Sequence, residues 1–371
     1  KMVEWLAGNR IRGTNAERTS TTGFNPLPAV IGGWKELDRV TVGAGQTSVN
    51  LDVTSLTDKR YYMILHNHIT DGTSMRIGIK LNGDDGTPYS YYETRNQGSN
   101  PRTVDTNNAG GSELNVTNAL NTAENWFGVA YLANKASENK LYLSHYAGQN
   151  ATGANNAPER VELAGKWTKG TDAVNQITAS RVSGGGVADS GSELIVLGYD
   201  PADTHTTNFW EELASVDWSS GATLDSGVFS TKKYLWVQAY LKEDSTAGYS
   251  RTRCGNSTID TLGNYAGRWS ITGGNDGTQA SNSDCFWIGD GSGTGSRISF
   301  VNMFIVNNAS NEKLFTGHSL YDWTTGVGTA PRRVEFAHKW TNTLSQINRI
   351  DFNKTAGNYE SGTTMRVWGS D

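Results

Sequence analysis

The sequence predicts an all-β chain, with two tandem jelly-roll-like antiparallel β-sandwich domains behind an extended N-terminal arm. Three observations carry that expectation. The chain repeats itself once, its apolar residues come in short β-rich runs broken by turn chemistry, and no helical period runs through it. Among 371 residues 43 are glycine, 12 tryptophan and 15 tyrosine, against only 7 proline. That mixture of turn formers and large planar side chains suits short strands and tight loops.

The repeat is long. Ala136-Ser137-Glu138-Asn139-Lys140-Leu141, His145, Arg160, Glu162, Lys166 and Trp167 return as Ala309-Ser310-Asn311-Glu312-Lys313-Leu314, His318, Arg333, Glu335, Lys339 and Trp340, offset by 173 residues. Lys59-Arg60-Tyr61-Tyr62 answers Lys232-Lys233-Tyr234-Leu235, and Trp34-Lys35-Glu36-Leu37 answers Trp210-Glu211-Glu212-Leu213. A period of that length exceeds any solenoid unit, so each copy must hold a core of its own. The chain therefore divides into an arm over 1–31, a first sandwich over 32–200, a linker over 201–209 and a second sandwich over 210–371.

The arm carries Arg10, Arg12 and Arg18 but few apolar residues, too few to fold alone. In the first copy, Tyr61 to Leu65, Met75 to Leu81, Trp126 to Leu132, Lys140 to His145, Gln176 to Val182 and Glu193 to Leu197 read as strands bounded by Gly, Asn and Asp. The second copy supplies Tyr234 to Tyr240, Ile298 to Val306, Leu314 to His318, Ile347 to Phe352 and Thr364 to Trp368. Leu114 to Asn125 is the one stretch with room for a helix. The linker is short and rich in Asp and Thr, which predicts two domains stacked in a fixed relation.

Composition also excludes. A net charge of −5 with no basic patch interleaved with aromatics argues against nucleic acid as a partner. No apolar run reaches 18 residues and Trp5 to Arg10 lacks a signal-peptide core, so neither membrane insertion nor general secretory export is expected. Cys254 and Cys285 both lie in the second copy without counterparts in the first, and their spacing leaves pairing open. No nucleophile elbow or catalytic-cysteine context is present, so no catalytic residue, metal or cofactor is assigned and the chain is read as no enzyme.

Three groups of residues invite chemistry. His66 and His68 leave one face of a strand at a ligand spacing, but no third ligand is evident and Ala239 and Leu241 replace them in the second copy; the reading is a solvated or aromatic-packed pair. Asp84, Asp85, Asp276 and Asp290 sit in Gly-rich loops without the ligand alternation of a calcium loop, and read as turn formers. The set kept in both copies, His145/His318, Arg160/Arg333, Glu162/Glu335 and Trp167/Trp340, reads as structural, with each Trp a core plug and each Arg and Glu a pair on the outer face.

Trp5 to Arg18, with Lys59-Arg60-Tyr61-Tyr62, Asn308 to Leu314 and Gly362 to Asp371, resembles virion surface proteins of marine tailed phages. The resemblance implies a head-decoration or tail-fibre subunit, made in the host cytoplasm and placed on the virion surface. Its arm would dock on other virion subunits through Trp5, Leu6, Arg10, Ile11, Arg12 and Arg18, and it would form a homo-oligomer. The alternative is a lectin-like module for host attachment, with Trp210, Tyr321 and Trp323 stacking on a host surface glycan.

Overall fold

The computed structural model describes residues 33–96, 103–117, 125–149, 151–200, 203, 208–272, 275–283, 286–288, 297–322 and 330–371. Every regular element among them is a strand. The first half holds β1 (Lys35–Thr41), β2 (Thr47–Ser48), β3 (Asn50–Val53), β4 (Tyr61–His68), β5 (Met75–Leu81), β6 (Tyr89–Asn96) and β7 (Thr103–Gly111). It continues with β8 (Leu114–Asn115), β9 (Trp126–Ala133), β10 (Lys140–Gly148), β11 (Glu159–Trp167), β12 (Ile177–Gly184), β13 (Ala188–Asp189) and β14 (Glu193–Tyr199). The second half holds β15 (Glu211–Trp218), β16 (Thr223–Asp225), β17 (Tyr234–Glu243), β18 (Ser250–Asn256), β19 (Thr258–Ile259), β20 (Tyr265–Ile271) and β21 (Asn275–Ser283). It ends with β22 (Phe286–Trp287), β23 (Arg297–Val306), β24 (Lys313–Tyr321), β25 (Arg332–Trp340), β26 (Arg349–Lys354) and β27 (Thr363–Ser370). The stretch with room for a helix begins instead with β8.

Each half is an antiparallel sandwich of one large and one small sheet, and the two share a strand order. The large sheets run β1-β14-β4-β9-β10-β11-β6-β7 and β15-β27-β17-β23-β24-β25-β20-β21, element for element the same path. The small sheets run β3-β12-β5-β8 and β16-β26-β18-β19, with β22 added on β18.

The repeated words are local devices. The turn before β10 and the loop after β11 wrap their carbonyls round the buried Lys140, whose Nζ donates to the oxygens of Lys135, Glu138 and Gly170 at 3.1, 2.9 and 3.0 Å. Lys313 does the same with Ala309, Asn311 and Asn342 at 3.3, 2.8 and 2.8 Å. An ammonium group is buried there because its three donors are all used. Trp167 and Trp340 are buried at equivalent strand ends and donate from Nε1 to Asp84 and Asp260, at 3.1 and 2.8 Å. Tyr89 and Tyr265 tie their hydroxyls to the backbone of Leu81 and Cys254 respectively. Cys254 thus fills the slot of a leucine, as a free and buried thiol, while Cys285 lies outside the described residues.

Strand alternation assigns the two faces of each large sheet. On β4, Tyr62 and Ile64 enter the first sandwich core while Met63 and Leu65 point away; on β17, Leu235 and Val237 turn inward and Tyr234 and Trp236 outward. The outward residues of the two large sheets pack on one another. The molecule is therefore four layers deep, small sheet, large sheet, large sheet, small sheet. This shared core holds Leu65, Phe127, Val129, Ala147, Ile195 and Leu197 from one side and Tyr234, Trp236, Phe304, Val306, Leu314 and Trp368 from the other.

Two readings of the sequence are corrected here. Trp210, taken as a glycan-stacking ring, is 4% exposed and sits in this shared core against Phe209, Trp236 and Phe304. Tyr321 is 3% exposed and belongs to the second sandwich core, since its position on β24 points inward. Trp323 lies outside the described residues, as do Trp5, Leu6, Arg10, Ile11, Arg12 and Arg18.

Candidate functional site

The two large sheets face each other with their strand orders aligned, β9 against β23, β10 against β24 and β11 against β25. Their strand directions are opposed. Leu65 and Phe127 of the first sheet lie with Tyr234 and Val306 of the second, whose own equivalents, Tyr61 and Ala133, stand at the far end of β4 and β9. That arrangement is a pseudo-twofold axis running across the strands, and residues on it meet their own counterparts.

His145 on β10 and His318 on β24 do so, edge to face with ring centroids 4.0 Å apart. Glu162 lies directly opposite His145 in the β10–β11 register, and Glu335 opposite His318 in the β24–β25 register. Glu162 Oε1 is 3.8 Å from His145 Nδ1 and 3.6 Å from His318 Nε2, and takes a 2.7 Å hydrogen bond from Arg160 Nη1. The same Nη1 reaches Glu335 Oε2 at 2.7 Å, so Arg160 bridges the carboxylates of both halves. Arg333 closes the chain on Glu335.

The position of this cluster corrects the outer-face reading of the Arg and Glu pairs. The face expected to meet solvent is covered by the other large sheet, and Arg160 is 1% exposed. Arg160 and Glu162 also share one strand, two residues apart, and reach across to the other half. Burial pushes the Glu162 carboxyl up, but His145, His318 and Arg160 outweigh it and hold it well below the usual carboxylate range. Burial, then repulsion from Glu162, raises Glu335 against the pull of Arg160 and Arg333. Burial and the neighbouring His318 lower His145 against the pull of Glu162.

Two histidines and a glutamate with donor atoms all within 4.8 Å of one another are a set that can hold a metal ion. The sequence reading missed it because the third ligand comes from the other half of the chain. The signal was the survival of His145 as His318 in both copies.

On one side of the axis the sheets close over the shared aromatic core. On the other they leave a cleft. Its first part, a cavity of about 600 Å³, is lined by Trp34, Tyr61, Tyr131, Leu141, Leu143 and Tyr199. Its second, about 380 Å³, lies between the halves and is lined by Trp34, Met63, Tyr131, Phe300, His318 and Leu320, among others. Leu141, Leu143, Phe300 and Leu320 remain 59%, 48%, 41% and 45% exposed. Trp34 enters β1 as Trp210 enters β15, but Trp210 is sealed in the core and Trp34 is half-buried at the mouth of the cleft.

His66 and His68 are not solvated. Both are buried in the first sandwich, their rings 6.0 Å apart and His66 edge-on to Tyr146. Asp84 is spent on Trp167 and the backbone of Gly86, Asp85 on Lys80, and Asp276 on Asn96; Asp290 lies outside the described residues.

No protein-family model matches the chain. No curated protein matches it either. Among solved structures it is similar to domains LG4-5 of the mouse laminin alpha1 chain, at 10% identity, TM-score 0.17 and coverage of 91% of each chain. It is also similar to the mavirus major capsid protein, at 6% identity, TM-score 0.15 and coverage of 99% of this chain and 96% of that one. At those TM-scores neither likeness carries an argument, and the all-β sandwich architecture rests on the sheets described above. No helix among the described residues is long and apolar enough to cross a membrane.

Proposed function

We propose that the chain is a non-enzymatic structural subunit of a bacteriophage virion, of head-decoration or tail-fibre type. It attaches to other virion subunits through residues 1–31 and displays its two sandwiches on the virion surface as part of a homo-oligomer. The observation that supports an assembly role is the uncovered apolar cleft. Among the described residues, eight of the thirteen exposed large hydrophobic side chains, Tyr61, Tyr92, Leu141, Leu143, Tyr240, Ile298, Phe300 and Leu320, lie on the outward faces of the two large sheets. Apolar surface concentrated in this way marks a contact with another protein. The duplicated residues support the same reading, because Lys140, Lys313, Trp167, Trp340 and the arginine–glutamate cluster act as scaffold and as the joint between halves.

The test is deletion of residues 1–25 followed by recovery of particles. Loss of the subunit from particles, with thermal unfolding unchanged, is the expected result. Normal incorporation would remove the anchoring role.

A second reading has its own observation. Trp34, Tyr61, Tyr131 and Tyr199 line a cavity large enough for a small ligand, and aromatic rings of this kind stack on sugar faces. Under that reading the protein attaches the virion to a host surface glycan, and glycan-array binding is lost in Trp34→Ala.

A further inference from the structure

The central cluster has a geometry that ion pairing alone does not account for. His145 Nδ1 is shielded from solvent and has no hydrogen-bond partner. The oxygen it faces is 3.8 Å away, and His318 Nε2 faces the same oxygen at 3.6 Å, both beyond hydrogen-bond length. Two imidazole nitrogens and one carboxylate oxygen, all within 4.8 Å of one another, form a triangle of the kind that three ligands on a metal form. For a tetrahedral ion with bonds of about 2.0–2.1 Å, neighbouring donors lie roughly 3.3 Å apart, so small side-chain rotations bring this triangle to size.

Charge permits it. Arg160 donates to Glu162, but a carboxylate has about four lone-pair sites, so acceptor capacity remains for an ion. Glu162, Arg160, Glu335 and Arg333 sum to no net charge, and because Arg333 is 54% exposed and screened by solvent the cluster presents no net positive charge to an incoming ion. Arg160 is then the outer partner that orients the ligating carboxylate. Access is present as well, since His318 lines the 380 Å³ cavity between the halves and a fourth coordination position can open onto it.

We propose that His145, Glu162 and His318 bind one divalent transition-metal ion, zinc being the best match to two imidazoles and a carboxylate, and that this ion joins the two halves of the chain. The first half supplies His145 and Glu162 and the second supplies His318, so binding requires the docked arrangement and stabilises it. Imidazole and carboxylate donors select zinc, cobalt, nickel or copper over magnesium and calcium, which prefer an all-oxygen shell.

The test uses the full chain, stripped with chelator and titrated calorimetrically with zinc chloride and spectroscopically with cobalt chloride. One equivalent per chain, the visible bands of four-coordinate cobalt, and an unfolding temperature that rises with zinc concentration are expected. His318→Gln and Glu162→Gln should each weaken binding by more than about 100-fold, beyond the loss typical of an outer-shell change, while Asp85→Asn, at an exposed turn away from the cluster, leaves it unchanged. Absence of saturable binding to the unaltered chain would overturn the proposal, and so would full binding retained in His318→Gln. If either variant fails to fold, the cobalt spectrum of the unaltered chain decides, since an all-oxygen octahedral spectrum is incompatible with the site.

Discussion

His145 and His318 occupy the same place in the two halves of the chain, and their rings touch edge to face at 4.0 Å. A residue that meets its own counterpart lies on the axis relating the copies. The duplicated cluster is thus one joint rather than two separate sites, and Arg160 is its bridge because one guanidinium nitrogen serves Glu162 and Glu335 together.

Removing that bridge should be costly. Arg160→Met leaves the buried Glu335 and the partly buried Glu162 without their shared partner, and breaking a buried pair costs about 3–5 kcal/mol. Arg333→Ala removes the equivalent residue, which is 54% exposed, and should cost under about 1 kcal/mol. Urea midpoints of the two variants measure the contrast. Equal, small losses would show that the joint contributes little to folding.

Three buried histidines should make the protein sensitive to mild acid. Burial lowers His66 to about 3, with His68 adding to the effect, and lowers His68 to about 4 and His338 to about 3. All three stay neutral in the folded protein, whereas the unfolded chain takes up protons near 6.5. Stability is therefore full above about pH 6.5 and is lost as pH falls, down to about 4 for His68 and about 3 for His66 and His338, by roughly 1.4 kcal/mol per pH unit for each histidine. Unfolding curves across that range check the slope. His66→Ala with His68→Leu, which installs the residue types of Ala239 and Leu241, should remove about two of the three contributions.

The sheets of each half were legible because their signals are local. Apolar and polar residues alternate along Met75 to Leu81, which is β5, and turn residues bound the strands, while the repeat announces two copies of one topology. What sits between the large sheets was not legible, because an outward side chain looks the same whether it meets water or another sheet. Trp210 was assigned to solvent for that reason. One signal did point to the second covering layer. Met63-Ile64-Leu65 and Leu194-Ile195-Val196-Leu197 are continuously apolar, the mark of strands buried on both faces rather than one. The His145, Glu162 and His318 set needed both halves in place before it existed at all.

Trp210 supplies a direct check on that lesson. As part of the shared core it should behave as a large buried side chain, so Trp210→Ala should cost about 3–5 kcal/mol in chemical denaturation. A glycan-stacking ring would instead leave stability unchanged and abolish glycan binding.

The cleft predicts a separation between folding and assembly. Leu141 and Leu143 lie on β10 beside the axis, both about half exposed and both facing away from the first sandwich core. Changing them to glutamate creates no cavity and buries no charge, so each substitution should alter stability by no more than about 0.5 kcal/mol. Their counterparts in the second half, Leu314 and Thr316, are by contrast buried, and a charge at Leu314 should prevent the halves from docking. If the open side of the cleft is the surface that other subunits cover, Leu141→Glu with Leu143→Glu should shift the protein to a smaller species in sedimentation while its unfolding transition stays in place. Val228→Glu is equally exposed but lies outside the large sheets, and serves as the control. An unchanged sedimentation profile in the double variant would place the assembling contact elsewhere on the chain.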